Sequence, residues 1–171
     1  METIDCEYLF YLQEDWLLTG KINVDCLNNC LSFMKRRDCE FMMSYIGNAL
    51  EETVISPFPT ILYQRIKCHF LQPAIWKKSL LVELVSLGKP LAEAEKEECT
   101  RLTSCRNCFC VFNEADMTHL TTKSFLMPHM HAIVGGKWTF SKYPDLKALV
   151  ESYGIDTTTR GIDTTWMMEY S

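Results

Sequence analysis

Between Cys99 and His131 the sequence gathers four of its nine cysteines and three of its four histidines. Such a block constrains folding strongly, because a metal ion shared by two segments holds them together and makes folding metal-dependent. Cys105-Arg106-Asn107-Cys108 has the CxxC spacing, in which a tight turn brings both sulfurs to one ion. His129-Met130-His131 supplies a second pair. On a strand, residues two apart face the same side, so both imidazoles can reach one metal. The spacing therefore predicts a structural zinc site of Cys105, Cys108, His129 and His131, with donors at about 2.0–2.3 Å. Cys99, Cys110 and His119 are alternates: Cys110 with His119 can replace one pair, or Cys99 can complete a three-cysteine site. About 20 residues separate the two pairs. A DNA-reading finger has ~12 and ends in His-x3–5-His, so this module is not expected to be one.

The remaining cysteines, Cys6, Cys26, Cys30, Cys39 and Cys68, follow helical apolar spacing and read as buried thiols. His69 stands alone beside Cys68 and reads as a plain helix residue. The opening Met1-Glu2-Thr3-Ile4-Asp5 is acidic where a secretory leader would be basic. No apolar run reaches the roughly 20 residues of a membrane helix. An intracellular, reducing compartment is expected, in the cytoplasm or nucleus and away from the membrane. The net charge is −5, from 17 basic and 22 acidic residues. That balance disfavours a general nucleic-acid binder. Lys35-Arg36-Arg37 is the tight basic cluster, and it reads as a solvated helix face.

The apolar pattern predicts a predominantly helical region over residues 1–98. Residues 6–18 are dense in apolar and aromatic side chains and end at Gly20. From Val24 to Leu50, Leu27, Cys30, Leu31, Met34, Phe41, Met42, Tyr45 and Ile46 keep helical spacing, with a break expected near Arg37-Asp38. Asn23 or Asp25 is expected to cap that helix. Ser56-Pro57-Phe58-Pro59 breaks the chain, and helices are expected at 60–70 and from Pro73 to Leu87, stopped by Gly88-Lys89-Pro90. Ala92 to Glu98 reads as an exposed acidic helix. The texture then changes. Cys108–Phe112 and His131–Val134 have strand character, Gly135-Gly136 marks a turn, and Lys137–Phe140 can return as a strand. Pro144 to Tyr153 reads as a helix capped by Gly154. The sequence Gly-Ile-Asp-Thr-Thr occurs at 154–158 and again at 161–165, which suggests two similar turns or a mobile tail. The expected fold is α+β: a helical region at 1–98, a zinc-stabilised α+β module at 99–153 and a tail at 154–171, together forming one compact domain.

Met127-Pro128-His129-Met130-His131-Ala132-Ile133-Val134 resembles the metal-binding motif of the HUH rolling-circle replication endonucleases over about eight residues. The resemblance implies that the two histidines hold a divalent metal. It also implies that a later tyrosine, Tyr153 or Tyr170, attacks a DNA phosphodiester. Other catalytic templates are absent: there is no phosphate loop, HExxH or GxSxG, and the deaminase elements occur in the wrong order. A Cys–His nucleophile pair such as Cys105 with His119 stays open, because such partners meet only in the fold.

The expected function is that of a non-enzymatic interaction or regulatory protein with a structural zinc ion, whose partner is another protein. Nine Phe, nine Met, seven Tyr and four Trp suffice for a core and an exposed contact patch. The small, cysteine-rich character also suits a virus-encoded protein acting on a host protein. The alternatives are the HUH-type nicking enzyme and a zinc-dependent nucleic-acid-binding regulator.

Overall fold

The computed structural model describes residues 4–13, 15–44, 49–55, 61–66, 73–85, 88, 93, 107–113, 124 and 126–163; at 49–55, 61–66, 84–85 and 112–113 only the backbone is described. The chain divides into two units. The first comprises Met1–Gln13 and Leu18–His129, and the second Glu14–Leu17 and Met130–Ser171.

In chain order the strands are β1 Tyr8–Tyr11, β2 Trp16–Leu18, β3 Phe41–Met43, β4 Ala49–Ile55, β5 Ile61–Ile66, β6 Ala74–Lys77, β7 Cys108–Asn113, β8 His129–His131, β9 Ile133–Val134 and β10 Lys137–Trp138. The helices are α1 Val24–Arg37, α2 Lys78–Val85 and α3 Pro144–Ser152. Six strands of the first unit form one sheet in the order β1-β6-β3-β7-β5-β4. All neighbours are antiparallel except β3 and β7, which run parallel with Phe41 opposite Cys108 and Met43 opposite Cys110. Strands β2 and β8 form a separate two-stranded sheet.

Helix α1 forms over the first part of the expected Val24–Leu50 helical segment; past the Arg37-Asp38 break, Phe41 and Met42 lie in β3 and Ala49 opens β4 instead of continuing a helix. The Asn23 side chain accepts from the Cys26 amide at 3.0 Å, Asp25 lies in the first turn, and Lys35, Arg36 and Arg37 lie in the last. Both charge placements suit the helix dipole. The helix stops at Asp38, which is left-handed at φ 47°. Its buried stripe of Cys26, Cys30, Phe33 and Met34 packs with Met42, Ile75, Phe109 and Val111 of the sheet. Strand periodicity then sends Phe41, Met43, Ala74, Trp76, Cys108 and Cys110 to the other face, where they are also buried. There Trp76 meets Phe41 edge-on at 4.6 Å and Tyr11 at 6.4 Å.

The predominantly helical N-terminal region is corrected by these strands. Residues 6–18 hold β1 and β2, residues 60–70 hold β5, and the segment after Pro73 is β6 before it becomes α2. Short apolar runs such as Tyr-Leu-Phe-Tyr do not declare their period, and aromatic and β-branched residues favour the pleated state. As for the expected zinc-stabilised module, no group of three or more metal-binding side chains comes together among the described residues, which leave out Cys99, Cys105 and His119. The architecture is mixed α/β with short helices. No described helix is long and apolar enough to cross a membrane.

The second unit has its own core of Met130, Ala132, Trp138, Phe140, Leu146 and Val150. Strands β9 and β10 make a hairpin with Val134 opposite Lys137. Its two turn residues, Gly135 and Gly136, have φ of 56° and 78°. A two-residue turn of this hand matches the strand twist and needs residues free of a Cβ penalty. Trp138 and Phe140 stack at 5.2 Å, and Leu146 and Val150 of α3 are fully buried.

Candidate functional site

The expected zinc donors fall into three groups. Cys99, Cys105 and His119 lie outside the described residues. Cys108 and Cys110 are consecutive same-face residues of β7 and are buried in the sheet. Nearby Cys39 shows what this environment does to a thiol. Its Sγ donates to the Phe41 carbonyl at 3.1 Å, and burial pushes its pKa well above the ordinary range, with Cys108 adding to the rise.

The two histidines are each engaged. His129 is fully buried, with Nδ1 2.7 Å from the Met127 carbonyl oxygen. A carbonyl only accepts, so Nδ1 carries the proton. Burial lowers the pKa of His129 to about 4, which keeps the imidazole neutral. In the second unit, His131 has Nε2 2.8 Å from Asp15 Oδ2 and stacks on Trp16 at 4.4 Å with the rings 5° apart. The Asp15 carbonyl also accepts from the amides of Ala132 and Ile133. Of the tyrosines that the HUH resemblance singled out, Tyr153 sits just past α3 and is 70% exposed, and Tyr170 lies outside the described residues.

A cleft of about 310 Å³ opens in the second unit. Leu17, Ala132, Ile133 and Trp138 give it apolar walls, and Ile155, Asp156, Thr159 and Arg160 complete the lining. The latter four belong to a loop secured at both ends. At its start, the Gly154 amide donates to Glu151 O and the Ile155 amide to Val150 O, with Gly154 at φ 72°. This is the paired hydrogen bonding that ends a helix on a left-handed glycine. At its end, Trp138 N donates to Gly161 O and Asp163 N to Trp138 O, both at 2.8 Å, while Ser141 Oγ donates to Asp163 O. Between these anchors Asp156 Oδ1 accepts from Thr158 N at 2.8 Å and Thr158 Oγ1 at 2.7 Å. Those two hydrogen bonds hold its carboxyl below the usual range. The repeated Gly-Ile-Asp-Thr-Thr thus has two roles. Its first copy is a helix stop and a side-chain-capped turn, and the described part of its second copy is a bridge to β10.

The rim differs chemically from the floor. Ile155 and Ile162 are 41% and 52% exposed, and Arg160 is exposed. No carboxylate among the described residues lies within ion-pair distance of Arg160. The sequence reading missed this cleft. The usable signals were Trp138 in a hairpin and a loop with two isoleucines and an arginine placed just after a glycine-capped helix. No family model, curated protein or solved structure matches the chain.

Proposed function

We propose that this chain is a non-enzymatic interaction protein whose second unit docks a short acidic segment of another protein. The observation that carries the reading is the cleft, with an apolar floor at Trp138 and Ile133 and a guanidinium on its rim. Its volume is at the low end of ordinary ligand pockets, about right for one large side chain and adjoining backbone. Asp156 Oδ1 accepts two hydrogen bonds within its own turn. Arg160 has five donors in a planar fork that suits a carboxylate, and the described residues offer it none. An apolar side chain followed or preceded by Asp or Glu therefore complements the site.

Panning a random peptide library on the intact chain tests this. Enrichment of a bulky apolar residue beside Asp or Glu is expected, and Arg160→Glu should turn the preference toward Lys or Arg. The same peptides from both proteins, or no enrichment, would contradict the proposal. An intracellular location belongs to the same reading, supported by Cys26, Cys39 and Cys108, which are buried and outside any disulfide.

Zinc is a separate proposal. It is supported by the Cys/His clustering and by the Met127 carbonyl orienting His129, an arrangement that metal-bound imidazoles commonly use. Elemental analysis of the purified chain decides it: one equivalent lost in the Cys105→Ser, Cys108→Ser double variant supports a site, and metal-free, fully stable protein refutes it.

A further inference from the structure

The two edges of the six-stranded sheet differ. Edge strand β4 holds Glu51 and Glu52 in its sequence and has an irregular register between Ala49 and Thr53. Charge and bulging are the usual devices that keep an edge from pairing with another chain. Edge strand β1 reads Tyr-Leu-Phe-Tyr, with no charge, proline or bulge.

The direction of its free hydrogen-bonding groups follows from one contact. Lys78 N donates to Glu7 O at 2.9 Å, so the Glu7–Lys78 pair faces across the β1–β6 seam. In an antiparallel ladder this alternates. Leu9 and Tyr11 therefore bond to β6, while the N–H and C=O groups of Tyr8 and Phe10 point outward. No other described strand pairs with that edge.

We infer that β1 is a self-association edge, pairing antiparallel with β1 of a second copy about a two-fold axis at Leu9. In this register Tyr8 and Phe10 of the second copy exchange both backbone hydrogen bonds, and Phe10 and Tyr8 of the second copy do the same. Four bonds form, and Leu9 faces Leu9 of the second copy at the centre. The flanking charges favour this orientation. Glu7 meets Tyr11 and Asp5 meets Gln13, whereas parallel pairing brings the two Glu7 side chains level. The axis stands perpendicular to the sheet, so both copies of α1 share one face and the two sheets join as one. Two-fold self-pairing of this kind is the commonest closed assembly.

Sedimentation equilibrium on the full chain should find a species of twice the 19.9 kDa chain mass. Leu9→Lys places two ammonium groups opposite each other and should give monomer. Leu9→Glu should do likewise, and mixing the two variants should restore the dimer. Hydrogen exchange on the unaltered chain gives a second readout. On concentration, the amides of Tyr8 and Phe10 should slow on the order of tenfold or more, and those of Leu9 and Tyr11 should not change. A monomer at every concentration, a folded Leu9→Lys dimer, or exchange at Tyr8 and Phe10 that ignores concentration would each overturn the inference.

Discussion

At the scale of single residues, the two histidines of the expected metal site are each engaged in a hydrogen bond within the chain. His129 holds its proton toward Met127 O, and His131 meets an aspartate 116 residues away in sequence. The sequence shows the donors but not Asp15, because nothing in a local pattern marks a contact over that distance. The burial of His129 has a measurable consequence. Its folded pKa of about 4 lies below the ordinary 6.5. As pH falls the unfolded chain binds the proton first, so unfolding is favoured between those two values and unaffected above them. In metal-free protein, urea titrations should show stability falling from about pH 6.5 to about pH 4 by on the order of 3 kcal/mol at most. His129→Gln should remove that part of the slope. An unchanged pH dependence in the variant would mean that His129 is not the titrating group.

At the scale of elements, what was legible depended on punctuation more than on apolar content. Asn23 marked the start of α1, the Arg37-Asp38 break its end, and Gly154 the stop of α3; each works through one or two hydrogen bonds close in sequence. The glycine pair at 135–136 marked a real hairpin. Of the six strands in the first unit's sheet, β7 was legible as Cys108–Phe112 and the other five were not. In β6, Ala74 to Lys77 is too short to show a period, and three of its four residues are buried because the sheet is covered on both faces. An all-apolar strand of this kind cannot be told from a buried helix turn by alternation. The cap itself is open to test. Asn23→Ala should cost about 1 kcal/mol in thermal or chemical denaturation, and Asn23→Asp should cost little. Equal losses in both variants would show that the 3.0 Å bond to Cys26 N does not stabilise α1.

At the scale of the molecule, the units are not sequential blocks. Four residues, Glu14–Leu17, are assigned with the C-terminal unit, although the chain on both sides belongs to the other. Through Asp15, Trp16 and Leu17 this short segment supplies the His131 partner, its stacking ring and one wall of the cleft. That explains why the candidate site was only half visible in the sequence. Its loop could be read near α3, but Leu17 lies more than a hundred residues upstream, and a cleft formed by such distant segments leaves no spacing to detect. The central claim is that this cleft is a docking site for an acidic, apolar peptide. The most direct measurement is methyl NMR of the intact chain during titration with a peptide selected by panning. The account predicts that the methyls of Leu17, Ile133 and Ile155 shift together, that those of Leu27 and Leu31 on α1 stay still, and that Arg160→Glu abolishes the response. Shifts confined to α1, or a response that survives Arg160→Glu, would contradict it.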